Sequence, residues 1–214
     1  YSTISSMGDG ARWGGLIVGE DSETTVRVIG TSMVEGSPLI SIGGQSDIVL
    51  SHAHFARSSS AEPLLRSTSS AFMATLSIIS SKFTDSASHC IELQGSIELN
   101  IEDVETSNCN SDALWVQSSL LAIDGMVAED TIRISGVEGE IHDLVGTDVV
   151  VNNVDGFTMS GLTLQSISGS DNRELNIHDA TITGAPAIDL DNTAGDLSNL
   201  AIDCGGSGTG LNAH

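Results

Sequence analysis

Apolar residues recur along the chain in short alternating runs, and each run is followed at a fixed distance by a residue suited to a sharp bend. The last inward position before each bend falls at Val28, Leu50, Leu76, Ile101, Ile123, Ile141, Met159, Ile177 and Leu197. Two residues earlier stand Val26, Ile48, Ala74, Leu99, Leu121, Gly139, Phe157, Leu175 and Gly195. Each anchor therefore closes a period-two run, the mark of a strand with one buried face. Two residues later stand Gly30, His52, Ile78, Asp103, Gly125, Asp143, Gly161, Asp179 and Asn199. Gly, Asp and Asn dominate this column, and they best accept a left-handed backbone.

The chain turns inward again at Thr31, Ala53, Ile79, Val104, Met126, Leu144, Leu162, Ala180 and Leu200. A second apolar pair follows in most units, as in Ile91/Leu93, Leu114/Val116, Ile132/Ile134, Val149/Val151 and Ile188/Leu190. Each unit thus predicts two or three short strands that close one turn of a coil, with a period of about 20 residues. So small a unit cannot bury its own apolar face, whereas units stacked in parallel bury a continuous ladder. The pattern predicts an all-β parallel β-helix, a solenoid of nine to ten coils, in a single domain spanning 1–214. The run from Cys204 to His214 looks like the start of another coil, so the chain reads as a segment of a longer protein. Helical repeats would need a 3.6-residue period, which the Gly, Ser, Thr and β-branched content opposes.

The coil pattern from Val26 to Ile202, together with Trp13-Gly14-Gly15-Leu16, resembles the right-handed parallel β-helix proteins of the pectin-lyase-like superfold. The resemblance implies a right-handed coil and a secreted protein. It implies no single activity, because that superfold hosts lyases, hydrolases, esterases, adhesins and passive surface proteins. The asparagine-threonine-aspartate, glycine-histidine-glycine and arginine-isoleucine-lysine elements of polygalacturonases are missing, and Arg133-Ile134 is followed by Ser135.

Charge narrows the partners. Seven Lys and Arg stand against 29 Asp and Glu, for a net charge of −22. With one lysine there is no basic patch from which to neutralise phosphates, which argues against nucleic acid. The same field disfavours anionic membranes, and no apolar run approaches the length that spans a bilayer, so no membrane insertion is expected in this segment. A mean hydropathy of +0.11 with 17% charged residues separates the chain from acidic disordered sequences. Cys90 and Cys109 are placed to bridge a loop and leave Cys204 over, or all three are small buried side chains.

Candidate chemistry falls in two places. The two longest coils carry extra residues at Ala56 to Pro63 and Ser81 to His89, and the surrounding segment holds His52, His54, Arg57, Arg66, Lys82, His89 and Trp115. Insertions in consecutive coils can wall a groove, which suits sugar binding; the same residues also suit solvated loops. One residue past the anchors, Glu102, Asp124 and His142 fall in a column at about 4.8 Å per coil, flanked by Asp103 and Asp143. Two carboxylates at that spacing suit a retaining glycosidase, and equally an acidic solvated edge. His52-Ala-His54 alternates as a pair on one strand face. Asp189, Asp191, Asn192 and Asp196 offer oxygen ligands to Ca²⁺ without an EF-hand spacing, and no metal is assigned. The expectation is a non-catalytic extracellular or cell-surface module that contacts polysaccharide or neighbouring protein subunits. The alternative is a carbohydrate-active enzyme, a polysaccharide lyase or glycoside hydrolase, using Glu102, Asp124 and His142.

Overall fold

The computed structural model describes residues 2–5, 15–18, 24–36, 38–58, 61–67, 72–117, 119–206 and 208–213. All regular structure among them is β-strand, every ladder is parallel, and the strands stack as a β-solenoid of about eight turns. That is slightly fewer than the nine to ten expected. Among the described residues, the strands Thr24–Ile29 and Leu197–Ile202, at the two ends of the anchor ladder, pair on one side only. Trp13 and Gly14 lie outside the described residues. Gly15 packs where a Cβ would meet the Leu39 carbonyl at 2.7 Å, so its close approach requires glycine.

Each coil has three faces. The anchors lie on the first, where Val28, Leu50, Ile78, Ile101, Ile123, Ile141, Met159, Ile177 and Leu197 pair strand to strand in one unbroken ladder. The third coil corrects the sequence register. Its anchor is Ile78 rather than Leu76, its bend is Ser80 with φ 45°, and the inward residue after it is Ser81 rather than Ile79. Elsewhere the bend residues stand where expected, all at positive φ from Gly30 to Asn199. The second face follows the bend, and together the two form a 13-stranded sheet. The third face is a separate 10-stranded sheet built on the second apolar pairs, from Ile40/Ile42 to Ile188/Leu190, all buried.

The solenoid tapers. The second face begins with the strands Ser2–Ser5, Thr31–Gly36, His54–Ser58 and Lys82–Ser86. Beyond the long strand Ser96–Cys109, it shrinks to the ends of Leu120–Ala128, Glu138–Gly146, Phe157–Leu164 and Asn176–Ile182. Among the extra residues of the long coils, Ala56 to Ser58 and the strand Lys82–Ser86 therefore widen a sheet instead of forming walls. The wider interior is filled by a rank that runs Met33, Phe55, Phe83, Thr106, Ala128. Phe55 and Phe83 are fully buried and stack with ring centroids 4.8 Å apart, a favourable offset arrangement. At the narrow end of this rank the Thr106 hydroxyl is buried without a hydrogen-bond partner.

A corner column found only in the wide coils joins the second and third faces. Glu35, Arg57, Asp85 and Asn108 all have positive φ there. They are tied in pairs, Arg57 to Glu35 at 3.3 Å and Asn108 to Asp85 at 3.1 Å. One residue beyond Asn108, Cys109 forms a disulfide with Cys90 at the entry to the third face, with Cα atoms 5.5 Å apart. Cys204 is a free, half-buried thiol packed against the core. No helix among the described residues is long and apolar enough to cross a membrane.

Candidate functional site

The residues expected to bind ligand are distributed over two faces and two corners. His52 occupies the first bend at φ 51°, its Nδ1 2.7 Å from the Ser51 hydroxyl. That bend takes it off the strand that His54 opens, so the two histidines do not form the expected pair on one strand. His54 and Lys82 are neighbours on the second face, where His54 meets the Thr84 hydroxyl at 3.2 Å and Lys82 pairs with Glu105 at 3.0 Å. Arg57 sits at the second corner. Arg66, His89 and Trp115 are brought together on or beside the third face.

The third face presents an outward rank between its buried apolar pairs. In register it runs Ser41, Arg66, Glu92, Trp115, Arg133, Val150, Ser168, Asp189. Beside it lies a second rank, Gln94, Gln117, Ser135, Asn152 and Ser170, uncharged until it reaches Asp191. Trp115 is half-buried, and the His89 ring lies against it with centroids 5.3 Å apart. Sequence reading missed Glu92, Asp112 and Arg133. Two of them were readable: Glu92 is bracketed by Ile91/Leu93 and Arg133 by Ile132/Ile134, as Trp115 is by Leu114/Val116. Asp112 carried no such signal, because the ladder slips between it and Leu114.

Asp112 organises this cluster. Its side chain is only 8% exposed, and the Arg133 guanidinium grips it with Nε 3.3 Å from Oδ2 and Nη2 3.4 Å from Oδ1. His89 Nδ1 lies 3.2 Å from both the Asp112 amide nitrogen and Oδ2. The amide donates to Nδ1 when that nitrogen carries no proton, whereas an Nδ1–H donates to the carboxylate. Burial pushes the Asp112 carboxyl up, but hydrogen bonds from His89 and Arg133 and the guanidinium charge outweigh it and hold the group below its ordinary value. The other arginine of the rank, Arg66, is ion-paired with Glu62. Gln94 Nε2 donates to Glu92 at 3.1 Å.

The alternative constellation lies on the first face. Glu102, Asp124 and His142 are in register there, and the rank continues through Ser160 and His178. Glu102 and Asp124 are exposed. His142 is bound through Nδ1 to the Ser160 hydroxyl, while its Nε2 lies 3.3 Å from Glu140. Asp189 takes a hydrogen bond from Asn212 at 2.9 Å, and Asn192 donates to Asp171 at 2.6 Å. Among the described residues, no three His, Cys, Asp or Glu side chains are grouped so as to hold a metal ion.

Fold and surface together define a parallel β-solenoid with a polar third face centred on one tryptophan. Compared with known protein families, curated proteins and solved structures, the chain matches none of them.

Proposed function

We propose that the chain is a non-catalytic extracellular β-solenoid module that holds glycan on its third face. The observation that carries this reading is Trp115 standing half-exposed in the third face, with Glu92 and Arg133 on the flanking strands and the amide and hydroxyl rank alongside. An indole offers a rigid apolar platform with a polar edge, and polar side chains repeated at about 4.8 Å suit the hydroxyls of a sugar chain. The Cys90–Cys109 disulfide supports an oxidising compartment, because such bonds persist outside the cytosol. The acidic surface keeps an elongated module soluble.

The second reading, a carbohydrate-active enzyme, is supported by the adjacency of Glu102 and Asp124. Incubation with a panel of neutral and acidic polysaccharides, with and without Ca²⁺, separates the two. Binding that Trp115→Ala abolishes, with no new reducing ends or unsaturated uronate, is the expected result. Turnover that disappears in Glu102→Gln or Asp124→Asn would replace the binding module with an enzyme.

A further inference from the structure

We infer that the Trp115 face selects neutral glycans over acidic ones, and that Asp112 is the positioning residue responsible, because it holds the Arg133 guanidinium. The inference rests on the glycan-binding reading above and names the class of sugar.

An acidic polysaccharide approaching this protein moves against a net charge of −22, so it needs uncommitted cations where it lands. The two arginines of the rank are both committed. Arg66 is paired with Glu62, and Arg133 gives two of its five N–H donors to the two oxygens of Asp112. Glu92 stands directly beside Trp115 and adds a further negative charge. What remains on offer is an indole, amides, hydroxyls, and the N–H groups of Arg133 that do not face Asp112. Those groups recognise ring C–H faces and hydroxyls, which every neutral hexose or pentose unit supplies. A carboxylate on the sugar would meet Glu92 and an Arg133 guanidinium already turned to Asp112.

The geometry also says how the preference is set. Asp112 is nearly buried, so its carboxylate is fixed, and the bidentate grip keeps Arg133 turned toward it instead of toward a ligand. Asp112→Asn keeps the shape and removes the countercharge, which releases Arg133 as a cation beside Trp115.

Affinity electrophoresis and intrinsic tryptophan fluorescence titration, with a soluble neutral β-glucan, a xylan and polygalacturonate, test this directly. The wild-type protein is expected to bind a neutral polymer at least about tenfold more tightly than polygalacturonate, and Asp112→Asn to reduce that ratio at least about tenfold by gaining polygalacturonate binding that high salt removes. A merely structural role for Asp112 would lower all binding together without creating a salt-sensitive gain. Glu92→Gln, at a half-exposed position that carries less folding risk, is expected to shift the ratio in the same direction. Wild-type binding of polygalacturonate at Trp115 as tight as that of neutral polymers overturns the neutral preference and leaves the glycan-binding reading standing. No binding to any of the three polymers overturns the glycan-binding reading and this inference with it. No shift in either variant overturns the charge mechanism.

Discussion

The carboxylate of Asp103 leans over the backbone of Gly125 on the next coil, so that a Cβ built on Gly125 would come within 2.9 Å of Asp103 Oδ1. Both residues occupy the left-handed bend, at φ 51° and 79°. Asp143 and Gly161 repeat the arrangement two coils further on. From Asp103 to Gly161 the bend column thus alternates an acid that accepts the left-handed conformation with a glycine that leaves room for that acid.

Gly125→Ala should therefore cost more than backbone conformation alone, which accounts for about 1 to 2 kcal/mol. Urea denaturation is expected to show a larger loss in the wild-type background than in Asp103→Gly, where the facing carboxylate is gone. Equal losses in the two backgrounds would mean that the acid places no demand on its neighbour.

Thr106→Val should stabilise the protein. The threonine hydroxyl is buried in the rank below Phe83 with no partner, and replacing an unsatisfied polar group by an apolar one of similar shape should recover about 1 kcal/mol. A fall in thermal midpoint would show that the hydroxyl is satisfied in solution.

Removing the disulfide should act in the opposite direction. Cys90 and Cys109 are separated by 19 positions, and freeing a loop of that size costs about 3 kcal/mol in the chain-entropy account. The Cys90→Ser/Cys109→Ser double variant should melt earlier than wild type, and a reducing agent should close the gap between them. A wild-type midpoint that does not respond to reductant would indicate that the bridge is absent in solution.

Asp112 adds a pH dependence whose sign follows from its lowered pKa. The folded state prefers the ionised carboxylate, so its contribution is fully present above the ordinary value of 3.8 and is lost as pH falls through the lower folded value. Denaturant titrations from mildly acidic pH downward should show a steeper decline for wild type than for Asp112→Asn. Parallel curves would show that the contacts of Arg133 and His89 with this carboxylate do not bear on folding.

The anchors and bends could be read because two independent signals coincide in most coils: an alternating run fixes the inward parity, and Gly, Asp or Asn fixes where it stops. The third coil shows what happens when one signal fails. Leu76 and Ile78 both point inward and are both fully buried, so alternation cannot choose between them. The bend that decides falls on Ser80, whose residue type does not announce a left-handed backbone. The taper was not legible either, since extra residues in a coil look alike whether they extend a strand or form a loop. The third-face cluster was half legible. Arg66, His89 and Trp115 stood out as rare residue types in an acidic, aromatic-poor chain, whereas Asp112 is one carboxylate among 29 and depends on Arg133 from the following coil.

The change in width at Cys109 makes this a rod of two gauges. Coils touch only their neighbours, so such a rod can part at its weakest junction without the remainder giving way. Above the step, stacked phenyl rings and a covalent tie bind coil to coil; below it, narrow coils are held without a covalent tie, by aliphatic ladders, backbone pairing and side-chain hydrogen bonds such as His142 to Ser160 and Asn192 to Asp171. Under tension along its axis, the molecule should yield first on the slender side and keep its thicker section whole.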